Sequence, residues 1–239
     1  ASGKQSHMGR IRGAVANFGA TDEAICDRAV WLGNVMELDD VHRQALLHPG
    51  PVVWPAALSV LGPNGSDELD DVLDAGINGY EAMIRIGATW DAQHYRYWHN
   101  TSTAGHFGTA AAAATMLGAD QDQMVSALGL AGSVAGGLWQ MRHEDNMAKS
   151  WHLANAVTTG RYAALHAAAG VTGPRHILEG PQGLYAATCT APKPLVLGDG
   201  WALEDVSFKP WAACRHVHPA IDGALILKER GQLAGMVHV

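Results

Sequence analysis

Along most of the chain apolar side chains recur every three to four positions, the spacing of one helix face. In segment 21–43, Ala24, Ile25, Ala29, Leu32 and Met36 form such a stripe, with Thr21 placed as a cap and Asp22 and Glu23 at the positive end of the helix dipole. Segment 48–62 opens on a proline-rich bend and runs into a short helix, and 66–90 predicts a long helix capped by Ser66 with an acidic first turn. Thr101, Ser102 and Thr103 are placed to cap a helix that starts at Ala104 and carries the five alanines 110–114. Segments 120–138 and 151–170 predict two further helices rich in Gly and Ala, the second stopped by Gly170 at its C′ position. Up to about residue 180 no segment alternates with period two. Residues 180–201 then read as a Gly- and Pro-rich connector, 206–214 as strand-like, 218–231 as a helix with Pro219 in its first turn, and 232–239 as a strand. The pattern predicts a mainly α chain: a large all-helical domain over 1–195, then the start of a smaller α+β domain over 196–239.

Composition sharpens this picture. Of the 239 residues 48% are apolar and only 16% charged, with 28 glycines, so much surface must be buried in a core or against a partner. The net charge is −7 and no basic stripe appears, which argues against a nucleic-acid partner. No apolar run approaches the roughly 20 residues that span a bilayer, and no membrane association is expected. Three cysteines, Cys26, Cys189 and Cys214, without metal-type spacing suit a reducing cytoplasm. The chain opens without an initiator Met and stops in a strand-like segment, so it is expected to be an interior portion of something longer.

Four stretches carry candidate chemistry. His99 stands just ahead of the hydroxyl residues at a helix start, where free backbone N–H groups attract a carboxylate or phosphate. Taken alone, that stretch reads as a capped core helix with an interfacial histidine. In 36–49, Glu37, Asp40 and Val41 are expected to share a helix face, as are Asp39 and Arg43, with His42 and His48 close behind. Carboxylates beside histidines suit metal binding or acid–base chemistry, and equally a solvated helix end. Lys149 and His152 stand three apart on a helix, and Lys209, Cys214, Arg215, His216 and His218 fall within ten residues. No nucleotide-binding loop and no nucleophile elbow is present.

In order and wording, the chain resembles the MmgE/PrpD family, which includes 2-methylcitrate dehydratases, cis-aconitate decarboxylases and an iminodisuccinate epimerase. The matching phrases are ELDDVHR…HPGPVVWPAAL, AGINGYEAMIRIG, WHNTSTAGHFGTAAAAATMLG, ALGLAGSVAGGL, MAKSWHLANAVTTGRYAALHAAAGVTGPRHILEGPQGL and FKPWAACRHVHPAID. The resemblance implies an all-α domain with a smaller α+β lid, usually dimeric, with the active site between them and no metal or organic cofactor. It implies that His48, His99, Lys149 and Lys209 act in catalysis, and that Glu37, Asp40, Thr101, Cys214 and His218 contact substrate. Glu37 stands where relatives often carry Asp, Val41 where they carry a hydroxyl residue, and Cys214 at a histidine position.

The function expected is a lyase acting on a small di- or tricarboxylate, of the 2-methylcitrate dehydratase type, with an epimerase or decarboxylase of the same family as alternatives. A histidine would abstract a proton next to a carboxylate while Lys149 and Lys209 hold the carboxylates. A non-catalytic helical scaffold or carboxylate-binding subunit is the rival, and a metal-dependent hydrolase a third reading. A homodimer, or a second chain supplying the rest of the lid, is the expected partner.

Overall fold

The computed structural model describes residues 7–18, 22–62 and 68–232. Ten α-helices fall within them: α1 His7–Val15, α2 Asp22–Val35, α3 Gly50–Leu58, α4 Leu69–Ala88, α5 Ala92–Tyr97, α6 Asn100–Met116, α7 Gln121–Gly132, α8 Ala148–Ala168, α9 Leu184–Thr188 and α10 His218–Glu229. Two short strands, β1 Val41–His42 and β2 Val206–Ser207, pair antiparallel with Val41 opposite Ser207. The chain is mainly α, as the periodicity predicts.

Helix α6 is the axis of the fold. Every residue in it except Thr115 is buried, and α3, α4, α7 and α8 pack around it. A helix enclosed on all sides cannot be amphipathic. The alanine run meets that demand, because five consecutive methyl side chains let neighbours approach from every direction. Phe107 of α6, Met83 and Ile84 of α4, Val52 and Val53 of α3, and Leu153 and Val157 of α8 fill the core around it.

Several boundaries differ from the sequence expectation, each for a local reason. The helix expected over 21–43 ends at Val35, because Glu37 takes a left-handed backbone (φ 52°) and reverses the chain. The helix face expected to unite Glu37, Asp40 and Val41, and to pair Asp39 with Arg43, therefore does not exist. Helix α6 starts at Asn100 rather than Ala104. The backbone N–H groups of Ser102 and Thr103 donate to His99 O at 2.8 and 2.9 Å, so His99 holds the cap position and the hydroxyls lie in the first turn. Helix α4 starts at Leu69 with Glu68 at its cap position, and α7 stops at Gly132, six residues short of expectation. The strand-like stretch 206–214 pairs only at Val206 and Ser207, and Pro210, which lacks an N–H donor, follows soon after. Gly170 does terminate α8, at φ 91°. Thr21, Ser66 and the strand expected over 233–239 lie outside the described residues.

The α6–α8 contact depends on one glycine. A Cβ at Gly160 would fall on Thr109 Oγ1 and stand 2.7 Å from Ala110 N. Thr109 cannot yield, since its hydroxyl donates across the interface to Ala156 O at 2.8 Å. Gly160→Ala should therefore destabilise the chain by about 1–3 kcal/mol through overpacking, despite alanine's higher helix propensity. A thermal midpoint equal to or above that of the parent would contradict this packing.

Candidate active site

Where α2 ends, the chain turns through 36–49 and lies against the N-terminus of α6, the turn 139–143 and the start of α8. A cavity of about 210 Å³ opens between them, lined by Glu37, His48, His99, Thr101, Lys149 and Cys214 among others. These six come from four separate stretches of sequence. Tyr95, Trp139, Met141, Arg142, Arg215 and His216 complete much of the wall. Among the described residues two non-glycines have positive φ, Glu37 (52°) and Leu46 (54°), and both line this cavity. Such backbone is costly for a side chain with a Cβ and persists where surrounding contacts enforce it.

The contacts around Glu37 show what enforces it. Its carboxylate Oε1 is bonded by Lys149 Nζ, and its Oε2 lies 3.7 Å from Lys209 Nζ. Lys209 Nζ also donates to Glu37 O at 3.0 Å and to Asp39 Oδ1 at 2.9 Å. The side chains of Lys209 and Asp39 are each 1% exposed. Asp39 in turn accepts from Asn34 Nδ2 at 2.9 Å and stands 3.3 Å from His48 Nδ1. The β1–β2 pairing brings this lysine in, by laying 206–209 alongside 37–42. Lys209, expected to hold substrate, is thus committed to two carboxylates and a carbonyl behind the cavity wall.

His48 Nδ1 also lies 2.6 Å from Asp40 O. Both of its partners are acceptors, so Nδ1 carries the hydrogen and Nε2 is left as the basic nitrogen. Burial pushes the His48 pKa down, Lys209 and Lys149 add to this, and Asp39 opposes it. Its backbone N–H donates to Thr101 Oγ1 at 3.2 Å. His99 is buried in the cavity wall, 3% exposed. Burial, then His152, Lys149, His48 and Arg142, push its pKa well below the usual imidazole range. Trp139 covers its ring at 4.5 Å, and its Nδ1 meets His152 Nδ1 at 3.3 Å. Two neutral imidazoles therefore share a cavity whose cations are Lys149, Arg142 and Arg215 and whose carboxylate is Glu37. Such a balance attracts a multiply charged anion, whose arrival would raise both histidine pKa values.

Asp40 does not line the cavity. Its Oδ1 accepts from Gly50 N at 2.9 Å and its Oδ2 from Tyr80 OH at 2.8 Å, and burial raises its pKa. That carboxylate ties α3 to α4 and is structural. His218 also lies off this cavity, in a neighbouring groove with Lys209 and Arg43, its Nε2 3.1 Å from Ala213 O. Among the described residues no three His, Cys, Asp or Glu side chains gather as metal ligands. The described helices include none long and apolar enough to cross a membrane. Sequence reasoning missed Arg142, Tyr95 and Trp139, and it placed Asp39 in a helical pair with Arg43 rather than between Lys209 and His48. Arg142 lies over the Trp139 ring and 3.4 Å from Tyr95 OH, in a short turn without apolar periodicity to flag it.

Comparison with known proteins is decisive for kinship. The MmgE/PrpD N-terminal domain matches residues 20–196. The chain belongs to the MmgE/PrpD family. It is 30% identical to a cis-aconitate decarboxylase of Aspergillus terreus over 211 residues, covering 81% of this chain and 43% of that protein. It is 29% identical to the human cis-aconitate decarboxylase over 205 residues, covering 81% and 42%. A cis-aconitate decarboxylase-like protein of Aspergillus oryzae is 29% identical over 163 residues, covering 65% and 34%. The chain thus spans less than half the length of these relatives.

Two outcomes follow. Lys209→Met should destabilise the fold by about 3–5 kcal/mol, because it strands the buried Asp39 carboxylate; adding Asp39→Asn should recover part of the loss. Additive losses in chemical denaturation would show that the two groups do not form a pair. Secondly, stability should fall on mild acidification. Burial lowers His94 and His106 to about 4 in the folded chain against 6.5 for an exposed histidine, and lowers His48 and His99 as well. Below pH 6.5 the unfolded chain binds protons that the native chain refuses. This contribution is complete above 6.5 and is lost as pH falls toward about 4. Denaturant midpoints that stay level from pH 7 to 4.5 would contradict it.

Proposed function

We propose that the chain carries the proton-transfer and anion-binding part of a cofactor-independent lyase that acts on a small di- or tricarboxylate. One observation carries this reading. Two neutral histidines and Lys149 converge on a cavity of about 210 Å³ with two arginines and a single carboxylate in its wall. That volume lies below the range of about 300–1,000 Å³ usual for drug-sized ligands, and suits a small metabolite. In this reading Lys149, Arg142 and Arg215 hold the carboxylates. His48 Nε2, made basic by the partners of Nδ1, faces the reacting carbon, and His99 is the second proton-transfer group. Lys209 positions His48 through Asp39 instead of binding substrate. The cations also stabilise the enolate-like charge that appears when a bond to the carbon beside a carboxylate breaks.

In a dehydration, one histidine takes the C–H proton and the other protonates the departing hydroxyl, as in the 2-methylcitrate dehydratase type expected from sequence. In a decarboxylation, the electron pair of the broken C–C bond enters the neighbouring unsaturated system and a histidine protonates carbon. The similarity to cis-aconitate decarboxylases favours the second reaction and makes cis-aconitate the first substrate to test. A partner surface, either a second copy or the rest of a lid, fits the exposure of Leu197 (80%) and Phe208 (87%) near the end of the described chain.

The protein should be offered cis-aconitate, 2-methylcitrate, citrate and iminodisuccinate, with products followed by NMR. Turnover of one of them is expected, and His48→Ala and His99→Ala should each lower it by about 10²-fold or more with the fold retained. Binding of these acids without turnover would select the carboxylate-binding subunit instead. Full activity in both variants would remove the histidines from the chemistry.

A further inference from the structure

His99 is only 3% exposed and lies in the cavity wall, yet a residue that moves protons must exchange them with solvent between turnovers. On the cavity side a bound ligand blocks that exchange. On the other side Trp139 covers the ring and the backbone N–H donates to Gly137 O at 2.8 Å. The contact that remains is His152, on the first turns of α8. The two Nδ1 atoms are 3.3 Å apart, with ring centroids 5.6 Å apart and planes inclined at 48°. Two ring nitrogens at this distance hold one hydrogen between them, so the rings take complementary tautomers. Unlike His99, His152 is only partly buried.

The surroundings keep this pair in place. Ser102 Oγ of α6 donates to His152 O at 3.3 Å. Gly137, at φ 120°, passes so near that a Cβ there would stand 3.3 Å from His152 Nδ1 and 2.7 Å from Ser102 Oγ. The charged and titratable groups facing the pair are Lys149 of α8, His48 of the 36–49 turn, Arg142 of the 139–143 turn and His106 of α6. All are cationic or become so in acid. Burial keeps both rings neutral, and around His99 the neighbouring cations add to it, so neither ring traps a proton in transit.

We propose that His152 is the proton outlet of His99, linking the buried imidazole to solvent when ligand fills the cavity; it is a positioning and relay residue for the lyase reading above, on which its catalytic purpose rests. After taking a proton at Nε2, His99 passes its Nδ1 hydrogen to Nδ1 of His152, and His152 releases its Nε2 hydrogen to water. In the reverse direction water protonates His152 Nε2, the Nδ1 hydrogen crosses to His99, and His99 gives its Nε2 hydrogen to the ligand. Only N–H bonds to the two rings form and break before the ligand is reached, and each proton that enters one end leaves at the other.

Two measurements test this, one of which needs no substrate. In ¹⁵N-histidine-labelled protein, the exchange with water of the hydrogen on His99 Nδ1, the nitrogen that faces His152, is read by saturation transfer. His152→Ala, and His152→Gln as a bulkier variant that cannot change charge, should slow it about tenfold or more and shift the His99 ring nitrogens. Unchanged exchange and unchanged ring shifts in either folded variant would overturn the outlet, whatever the enzyme acts on. With the substrate that the intact enzyme turns over, His152→Ala should lower kcat about tenfold or more with KM within about twofold, and added imidazole should restore the rate in a saturable manner. An unchanged kcat, or a loss that imidazole does not relieve, would overturn it. Absence of turnover on every polycarboxylate would fail the lyase reading alone, leaving the exchange measurement to decide the outlet.

Discussion

The buried carboxylate of Asp39 is the constraint on which the site depends. A charge that is 1% exposed is tolerated only when paired and hydrogen-bonded. Asp39 meets that demand with Lys209 on one oxygen and Asn34 and His48 on the other. Each partner brings a different part of the chain: the end of α2, the turn before α3, and the segment after β2. Satisfying one buried charge therefore fixes the wall of the cavity, the tautomer of His48 and the seat of the C-terminal segment together. The left-handed backbone at Glu37 is held in the same way, since its carbonyl and its carboxylate are both drawn to lysines.

Around this anchor the helical framework supplies rigidity. A central helix buried on every side leaves room mostly for small residues, and the alanine run 110–114 of α6 supplies them. The N-terminus of α6 carries the polar side chains that meet the cavity, and there the packed layer of helices gives way to the turns 36–49 and 139–143. The cavity lies at the end of a rigid element and is walled by irregular chain. This arrangement joins fixed positions for His99 and Thr101 to walls that can carry arginines and aromatic residues.

Much of this was legible in the sequence. Apolar spacing marks α3, α4, α7, α8 and α10, and the alanine run marks the buried axis. The ordered phrases point to His48, His99, Thr101, Lys149, Glu37 and Cys214, which the fold brings to one cavity. The turn after α2 was not legible. MELDDVHR continues the helical pattern of the residues before it, and only tertiary contacts to two lysines impose the left-handed step at Glu37. For the same reason Asp39 and Asp40 could not be told apart. They are adjacent acids, yet one faces Lys209 and His48 while the other ties Tyr80 to Gly50. Periodicity also says nothing about Arg142, whose position comes from a five-residue turn stacked by Trp139 and Tyr95.

His48 and His99 are alike in composition and different in circuitry, and the difference follows from what their Nδ1 atoms meet. The nitrogen of His48 faces a carboxylate and a carbonyl, both acceptors, so Nδ1 holds the hydrogen and that ring is set in one tautomer with Nε2 as its basic nitrogen. The nitrogen of His99 faces another imidazole, which can be donor or acceptor in turn. A locked ring suits a step in which one nitrogen must be reliably basic. A ring coupled to a second imidazole suits steps in which proton flow must reverse. Lysine or carboxylate at residue 152 would have broken this symmetry by fixing the charge of the neighbour. Histidine there is the residue that leaves the direction of transfer to the ligand.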